Sequence, residues 1–166
     1  MKLEFPEGAL RPIGTDQMRE ALALSARSPR HRAIVRYHEH AEAVQRMMNA
    51  LEPESYVRPH RHHDPDKLEV FVVLAGRALV LQFDDAGRVT DFVVITAAGP
   101  QRGVEIPART WHSVVALEPG TVLYEVIEGA FSPSTHKSYA PWAPAEGSPE
   151  AAAFHEALLA RIRRGF

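Results

Sequence analysis

Pro59-His60-Arg61-His62-His63-Asp64-Pro65-Asp66-Lys67-Leu68-Glu69-Val70-Phe71-Val72-Val73-Leu74-Ala75-Gly76 is the stretch on which the fold turns. Residues two apart on a strand face the same side, so His60 and His62 can address one centre. Asp64-Pro65 then reverses the chain. The apolar run from Val70 to Ala75 is far too short to cross a bilayer and reads as a buried strand stopped by Gly76. Glu69 heads that strand, where it can oppose both histidines across the hairpin.

Outward from this hairpin the middle of the chain is β. Strands are predicted at 56–62, 68–74, 77–83, 89–96, 104–106, 113–117 and 121–128, most of them rich in Val, Ile, Phe and Leu. His63-Asp64-Pro65-Asp66, Asp84-Asp85-Ala86-Gly87, Gly99-Pro100 and Glu118-Pro119-Gly120 separate them. Short strands punctuated in this way make an all-β sandwich or barrel.

The two ends differ. Thr15 or Asp16 can cap a helix over 17–27 that Ser28-Pro29 closes, and 30–38 holds a short edge strand around Ala33-Ile34-Val35. Residues 41–51 read as a short helical turn followed by a strand. At the far end Ser148-Pro149-Glu150 opens a helix running to about Arg164, with Phe154, Leu158 and Ile162 on one stripe. That stripe suits packing over the barrel or against a second subunit. No internal repeat or low-complexity linker interrupts the chain, so one domain over 1–166 is expected. It comprises an N-terminal helical and edge-strand extension to 43, a barrel core over 44–130, and a lid segment with a C-terminal helix over 131–166.

With 166 residues, 45% hydrophobic and 24% charged, the chain has an ordinary globular composition and can bury one real core. A formal net charge of −2 gives no global field toward nucleic acid or an anionic membrane, and neither is expected as a partner. The absence of cysteine excludes disulfides, thiolate zinc sites and cysteine nucleophiles, and suits a reducing compartment. The opening Met-Lys-Leu-Glu-Phe-Pro-Glu-Gly has no apolar h-region, so a cytoplasmic protein is expected.

Histidine is the enriched titratable type, nine in all, and His112 follows the Pro107-Ala108-Arg109-Thr110-Trp111 turn. Three imidazoles and one carboxylate from non-adjacent strands form a set that suits one divalent transition metal: Fe, Mn, Ni, Co or Zn. Either Glu69 or the neighbouring His63 can complete it. Trp111 is expected to pack under His112 and fix its orientation, while His31, His38, His40 and His155 read as surface residues.

His60-Arg61-His62, Glu69 and Gly76 resemble the first cupin motif, and Pro107-x-Arg109-x-x-His112 is similar to the second, with Arg109 where Gly is usual and Ala116 in place of Asn. Ser28-Pro29-Arg30, the phrase from Val44 to His62, Glu69 to Leu74 and Val126-Ile127-Glu128-Gly129 resemble the WbuC-type cupin metalloproteins. So do Thr135-His136-Lys137 and Ala140-Pro141-Trp142-Ala143-Pro144. The resemblance implies a mainly β cupin, a double-stranded β-helix or jelly-roll barrel, with metal ligands His60, His62, Glu69 and His112. It also implies a homodimer, by analogy with other cupins, and a setting in surface polysaccharide or lipopolysaccharide metabolism.

Parity extends the pocket. Arg58 shares a face with His60 and His62 and can bind a substrate carboxylate or phosphate, or pair with an internal carboxylate. Phe71 and Val73 follow Glu69 inward. On the last strand Val122, Tyr124 and Val126 form the apolar set, which turns Tyr124 toward the pocket. His136 and Lys137 lie where a lid would sit and could bind an anion or move a proton. A metalloenzyme acting on a small anionic or carbohydrate-derived molecule, of isomerase or dioxygenase type, fits these residues. A non-catalytic binding cupin and a purely structural metal are the other readings.

Overall fold

The computed structural model describes residues 1–163, without the side chains of Ile162 and Arg163. Helix α1 spans Thr15–Ser25, and ten strands follow. They are β1 (Arg32–Arg36), β2 (Val44–Leu51), β3 (His60–Arg61), β4 (Glu69–Ala75) and β5 (Arg77–Phe83), then β6 (Val89–Thr96), β7 (Gly103–Ile106), β8 (Trp111–Ala116), β9 (Thr121–Glu128) and β10 (Ser138–Tyr139). Helix α2 closes the chain at Pro149–Arg163. Arg164 and the Ile162 side chain lie outside the described residues.

The strands form two five-stranded antiparallel sheets, ordered β1-β2-β9-β4-β7 and β10-β3-β8-β5-β6. Chain neighbours β4 and β5 sit in different sheets, so the chain winds back and forth between the two layers. This is a jelly roll of two facing sheets, with a helix at either end. Gly76 makes the crossing between β4 and β5: its φ is +73°, and a Cβ there would lie 2.5 Å from Thr121 Oγ1.

Three apolar clusters stack through the molecule. Leu51, Phe71, Val73, Val80, Val114 and Leu123 fill the space between the sheets. On the outer face of the first sheet, Ala21, Leu22 and Met18 of α1 cover Val35, Met48, Val122 and Tyr124. On the outer face of the second, Leu158 and Phe154 of α2 cover Leu79, Leu81, Phe83 and Trp111. Both faces of both sheets are therefore buried over much of their area. That is why four successive residues of β5 and all six of β8 are buried rather than alternate ones.

Several local expectations change. Helix α1 starts and stops two residues earlier than its sequence signals suggest, and its N-cap is Gly14, with Thr15 and Asp16 inside the first turn, where the Asp16 charge complements the helix dipole. Residues 41–43 form a turn and bend rather than a helical turn, because the chain doubles back through Glu42 N–H to Glu39 O. The strand expected over 56–62 shrinks to His60–Arg61: Pro59 cannot donate to a ladder, and the Val57 carbonyl accepts from Ser113 Oγ at 2.6 Å. Two of the supposed surface histidines are buried. His38 Nδ1 accepts from Arg46 N–H at 3.0 Å, and His155 Nε2 donates to the Pro53 carbonyl at 2.8 Å.

Candidate metal centre

His60 on β3 pairs directly with His112 on β8, while Glu69 begins β4 in the facing sheet. One donor atom from each of His60, His62, Glu69 and His112 falls within 4.8 Å of all the others, and all four residues are buried. His62 Nε2 lies 3.2 Å and His112 Nε2 2.8 Å from Glu69 Oε2. His63 points away and meets Asp64 Oδ2 at 2.7 Å, so Glu69 completes the group.

A backbone carbonyl orients each imidazole from behind. His60 Nδ1 donates to Arg58 O at 2.9 Å, His62 Nδ1 to His136 O at 2.6 Å, and His112 Nδ1 to Thr110 O at 2.9 Å. With the proton on Nδ1, each Nε2 lone pair faces the shared point. This is the outer support that metal-binding histidines require. The Nε2 atom of His60 is buried without a hydrogen-bond partner among the described residues. Buried polar atoms are normally satisfied, so this cluster fits a cation bound by three nitrogens and a carboxylate.

The electrostatics agree. Burial holds the His60 imidazole well below its ordinary value, with Lys137 and His112 adding to the effect. Burial alone would push Glu69 up, but the neighbouring His112 and His62 outweigh it and hold the carboxyl well below the usual range. His60 and Glu69 are thus held toward the deprotonated forms that bind metal.

From this centre a groove of about 560 Å³ runs outward over β2 and β1. Arg58 lines it: its Nη2 donates to the Ala140 carbonyl at 3.1 Å, and its guanidinium lies 5.1 Å from the Tyr139 ring centroid. His136 and Lys137 also line it, and burial, with Lys137 and His62 nearby, pushes His136 down to about 3. His136 does more than the lid position implied, since its carbonyl orients His62. Phe71 packs in the inter-sheet cluster beneath the site rather than on the groove wall.

Tyr124 lies on the opposite side of its sheet. It packs edge-on against Tyr37 at 5.7 Å under α1. The inward set on β9 is Leu123, Glu125 and Ile127, and Glu125 takes the place expected for Tyr124. Both sets on this strand are largely apolar because both faces of the sheet are covered, so apolarity does not reveal direction. Glu125 is 4% exposed, accepts from Asn49 Nδ2 at 3.0 Å and shares a hydrogen bond with Glu69. Burial and the Glu69 charge raise its carboxyl to about 8.

Trp111 also faces away from the site. Neighbouring strand residues point to opposite faces, so it joins the α2-side cluster, and its Nε1 donates to Asp85 Oδ1 at 2.8 Å. Arg109 occupies the position where the second motif usually has Gly. Its φ is +68°, a left-handed backbone that costs a side-chain-bearing residue energy. Its N–H donates to the His62 carbonyl and its Nε to Asp66 Oδ2, both at 2.9 Å, so the strained turn ties the two motifs together.

Residues 13–95, half of the chain, match the family described as Domain of unknown function (DUF6016). No curated protein matches. Among solved structures, KdgF from Halomonas sp. is similar at 20% identity, covering 61% of this chain and 79% of that one, with a TM-score of 0.45. Oxalate decarboxylase from Bacillus subtilis is similar at 21% identity, covering 74% and 29%, with a TM-score of 0.49. The capsular polysaccharide assembling protein CapF from Staphylococcus aureus is similar at 14% identity, covering 64% and 31%, with a TM-score of 0.49. The chain spans 29% and 31% of the length of the last two.

Proposed function

We propose that this chain, which belongs to the family of the Domain of unknown function DUF6016, is a metal-dependent cupin that acts on a small anionic molecule. One observation carries the reading: three imidazoles, each held by a backbone carbonyl, converge with Glu69 on one buried point that opens into a groove lined by Arg58 and Lys137. A divalent Fe, Mn, Ni, Co or Zn ion held by these four residues would polarise a substrate oxygen and leave positions open for it. Arg58 and Lys137 would hold the substrate's negative charge, and the His136 segment would exclude water above His62. Glu125, beside Glu69, is placed to exchange a proton with the substrate.

The WbuC-like motifs support a carbohydrate-derived substrate in surface polysaccharide metabolism, with isomerase or dioxygenase chemistry. A chain without cysteine suits the cytoplasm. Among the described residues no helix is long and apolar enough to cross a membrane. A homodimer belongs to the same reading, since Ile34 on the edge strand β1 is 40% exposed.

Elemental analysis of the purified and metal-reconstituted protein tests it. The expected result is one metal per chain, lost in His60→Ala and His112→Ala while the fold persists. A wild-type protein that retains no metal after reconstitution refutes the reading. Metal retention with no turnover of any sugar acid or sugar phosphate would favour a non-catalytic binding cupin.

A further inference from the structure

Asn49 lies on β2 with its side chain in the groove beside His60 and Glu125, and it is 7% exposed. Its amide nitrogen is committed: Nδ2 donates to Glu125 Oε2 at 3.0 Å. The proton that Glu125 keeps is shared with Glu69, so the Oε2 atom facing Asn49 is an acceptor and calls for the N–H₂ end of the amide. The other end, Oδ1, is buried and has no partner among the described residues. An acceptor left unpaired in a buried site has a real cost, and a ligand that donates to it recovers that cost.

Two further polar atoms in the same groove are also unpartnered among the described residues: Arg58 Nε, a donor, and His136 Nδ1. Lys137 lines the wall next to them, and among the described residues neither Arg58 nor Lys137 forms an ion pair with a carboxylate. The groove therefore presents a buried acceptor together with a cationic wall. A simple anion without a hydroxyl, such as sulfate, satisfies only the cations. A neutral sugar satisfies only Asn49.

We propose that the groove binds a hydroxylated carboxylate, a sugar acid, whose carboxylate sits against Arg58 and Lys137 and whose hydroxyl donates to Asn49 Oδ1. Asn49 is then the residue that selects for the hydroxyl. A site built to pair a substrate hydroxyl discriminates strongly against the analogue that lacks it, because the buried acceptor is then stranded. This assignment deepens the function proposed above and rests on it for the chemistry, but neither Asn49 nor Arg58 is among the four metal-binding residues.

The test is calorimetric titration of zinc-loaded protein with gluconate, its hydroxyl-free counterpart hexanoate, and sorbitol, which has the hydroxyls without the charge. Gluconate should bind at least tenfold more tightly than either. Asn49→Leu and the smaller Asn49→Ala should each erase the preference over hexanoate, and Arg58→Gln should weaken both acids alike, with metal content unchanged in every variant. Equal binding of gluconate and hexanoate to wild type, or a preference that survives in both Asn49 variants, overturns the proposal. If the wild type holds no metal, the metal reading fails separately. The same titrations on the metal-free chain then decide the sugar-acid site, because a gluconate preference that depends on Asn49 and Arg58 upholds it and its absence overturns it. Should both Asn49 variants unfold, Arg58→Gln decides: undiminished gluconate binding overturns the assignment.

Discussion

In the metal-free protein, stability should pass through a maximum near pH 6.5, and Glu125→Gln should remove the fall on its alkaline side. Burial holds His60 well below its ordinary 6.5 and His136 at about 3. Beneath pH 6.5 the unfolded chain therefore binds protons that the folded chain refuses, so stability is lost as the pH falls. Glu125 acts in the opposite sense. Its carboxyl is raised from 4.5 to about 8, so across that interval the folded chain keeps a proton that the unfolded chain releases. Its stabilisation is full below the unfolded value and is lost as the pH rises through 8.

Each unmatched proton is worth about 1.4 kcal/mol per pH unit. Between about pH 5 and 6, two histidines oppose one glutamate. The net rise is then up to about 1.4 kcal/mol per unit, with the half-buried His136 giving the smaller share because solvent screens it. His38, also lowered by burial, steepens that limb. Above pH 7 Glu125 acts alone and stability falls by about 1 kcal/mol per unit as its titration begins. Urea unfolding of chelator-treated protein in half-unit pH steps measures both limbs. In Glu125→Gln the alkaline fall should vanish and the acid limb should roughly double. An unchanged alkaline limb in that variant refutes the assignment of Glu125 as the buried proton holder.

Other outcomes follow from single residues. Gly76→Ala forces a side chain into a left-handed φ and onto Thr121, and should cost about 2 kcal/mol or more, read as a fall in Tm of about 4–8 °C with metal content retained. Arg109→Gly should be more stable than Arg109→Ala by about 1 kcal/mol in urea unfolding, because both lose the exposed Asp66 pair but only Gly relieves the φ of +68°. Glu146 accepts from Arg30 and from Arg32, which is 9% exposed at its side chain. Burial alone would raise Glu146, but these arginines outweigh it and lower it below 4.5. Glu146→Gln should therefore destabilise by about 1–2 kcal/mol at pH 7, a difference that shrinks as the pH falls below 4.5 in the same assay.

How far the chain could be read depended on whether one face or two were covered. Strands β5, β6 and β9 have the expected limits, since charged or turn residues bound them sharply. The four residues of the metal centre were legible because polar side chains at strand parity stand out against apolar neighbours. Tyr124 and Trp111 were misplaced for the converse reason: α1 and α2 bury the outer faces, so apolar residues occur on both sides of a strand. Strand β10 is two residues long and leaves no periodic trace. Asn49 and Glu125 were missed because their importance lies in a contact between strands 76 residues apart in the chain. Arg109 shows the opposite case, a departure from the usual Gly whose strained backbone appears only in the structure.

X-ray absorption at the edge of the metal that the reconstituted protein retains tests the central claim most directly. With one metal bound per chain, the spectrum should require three imidazole nitrogens and one carboxylate oxygen, and the metal signal should disappear in His112→Ala. A shell built from oxygens alone, or a His112→Ala protein that keeps its metal with the same three imidazoles, contradicts the site.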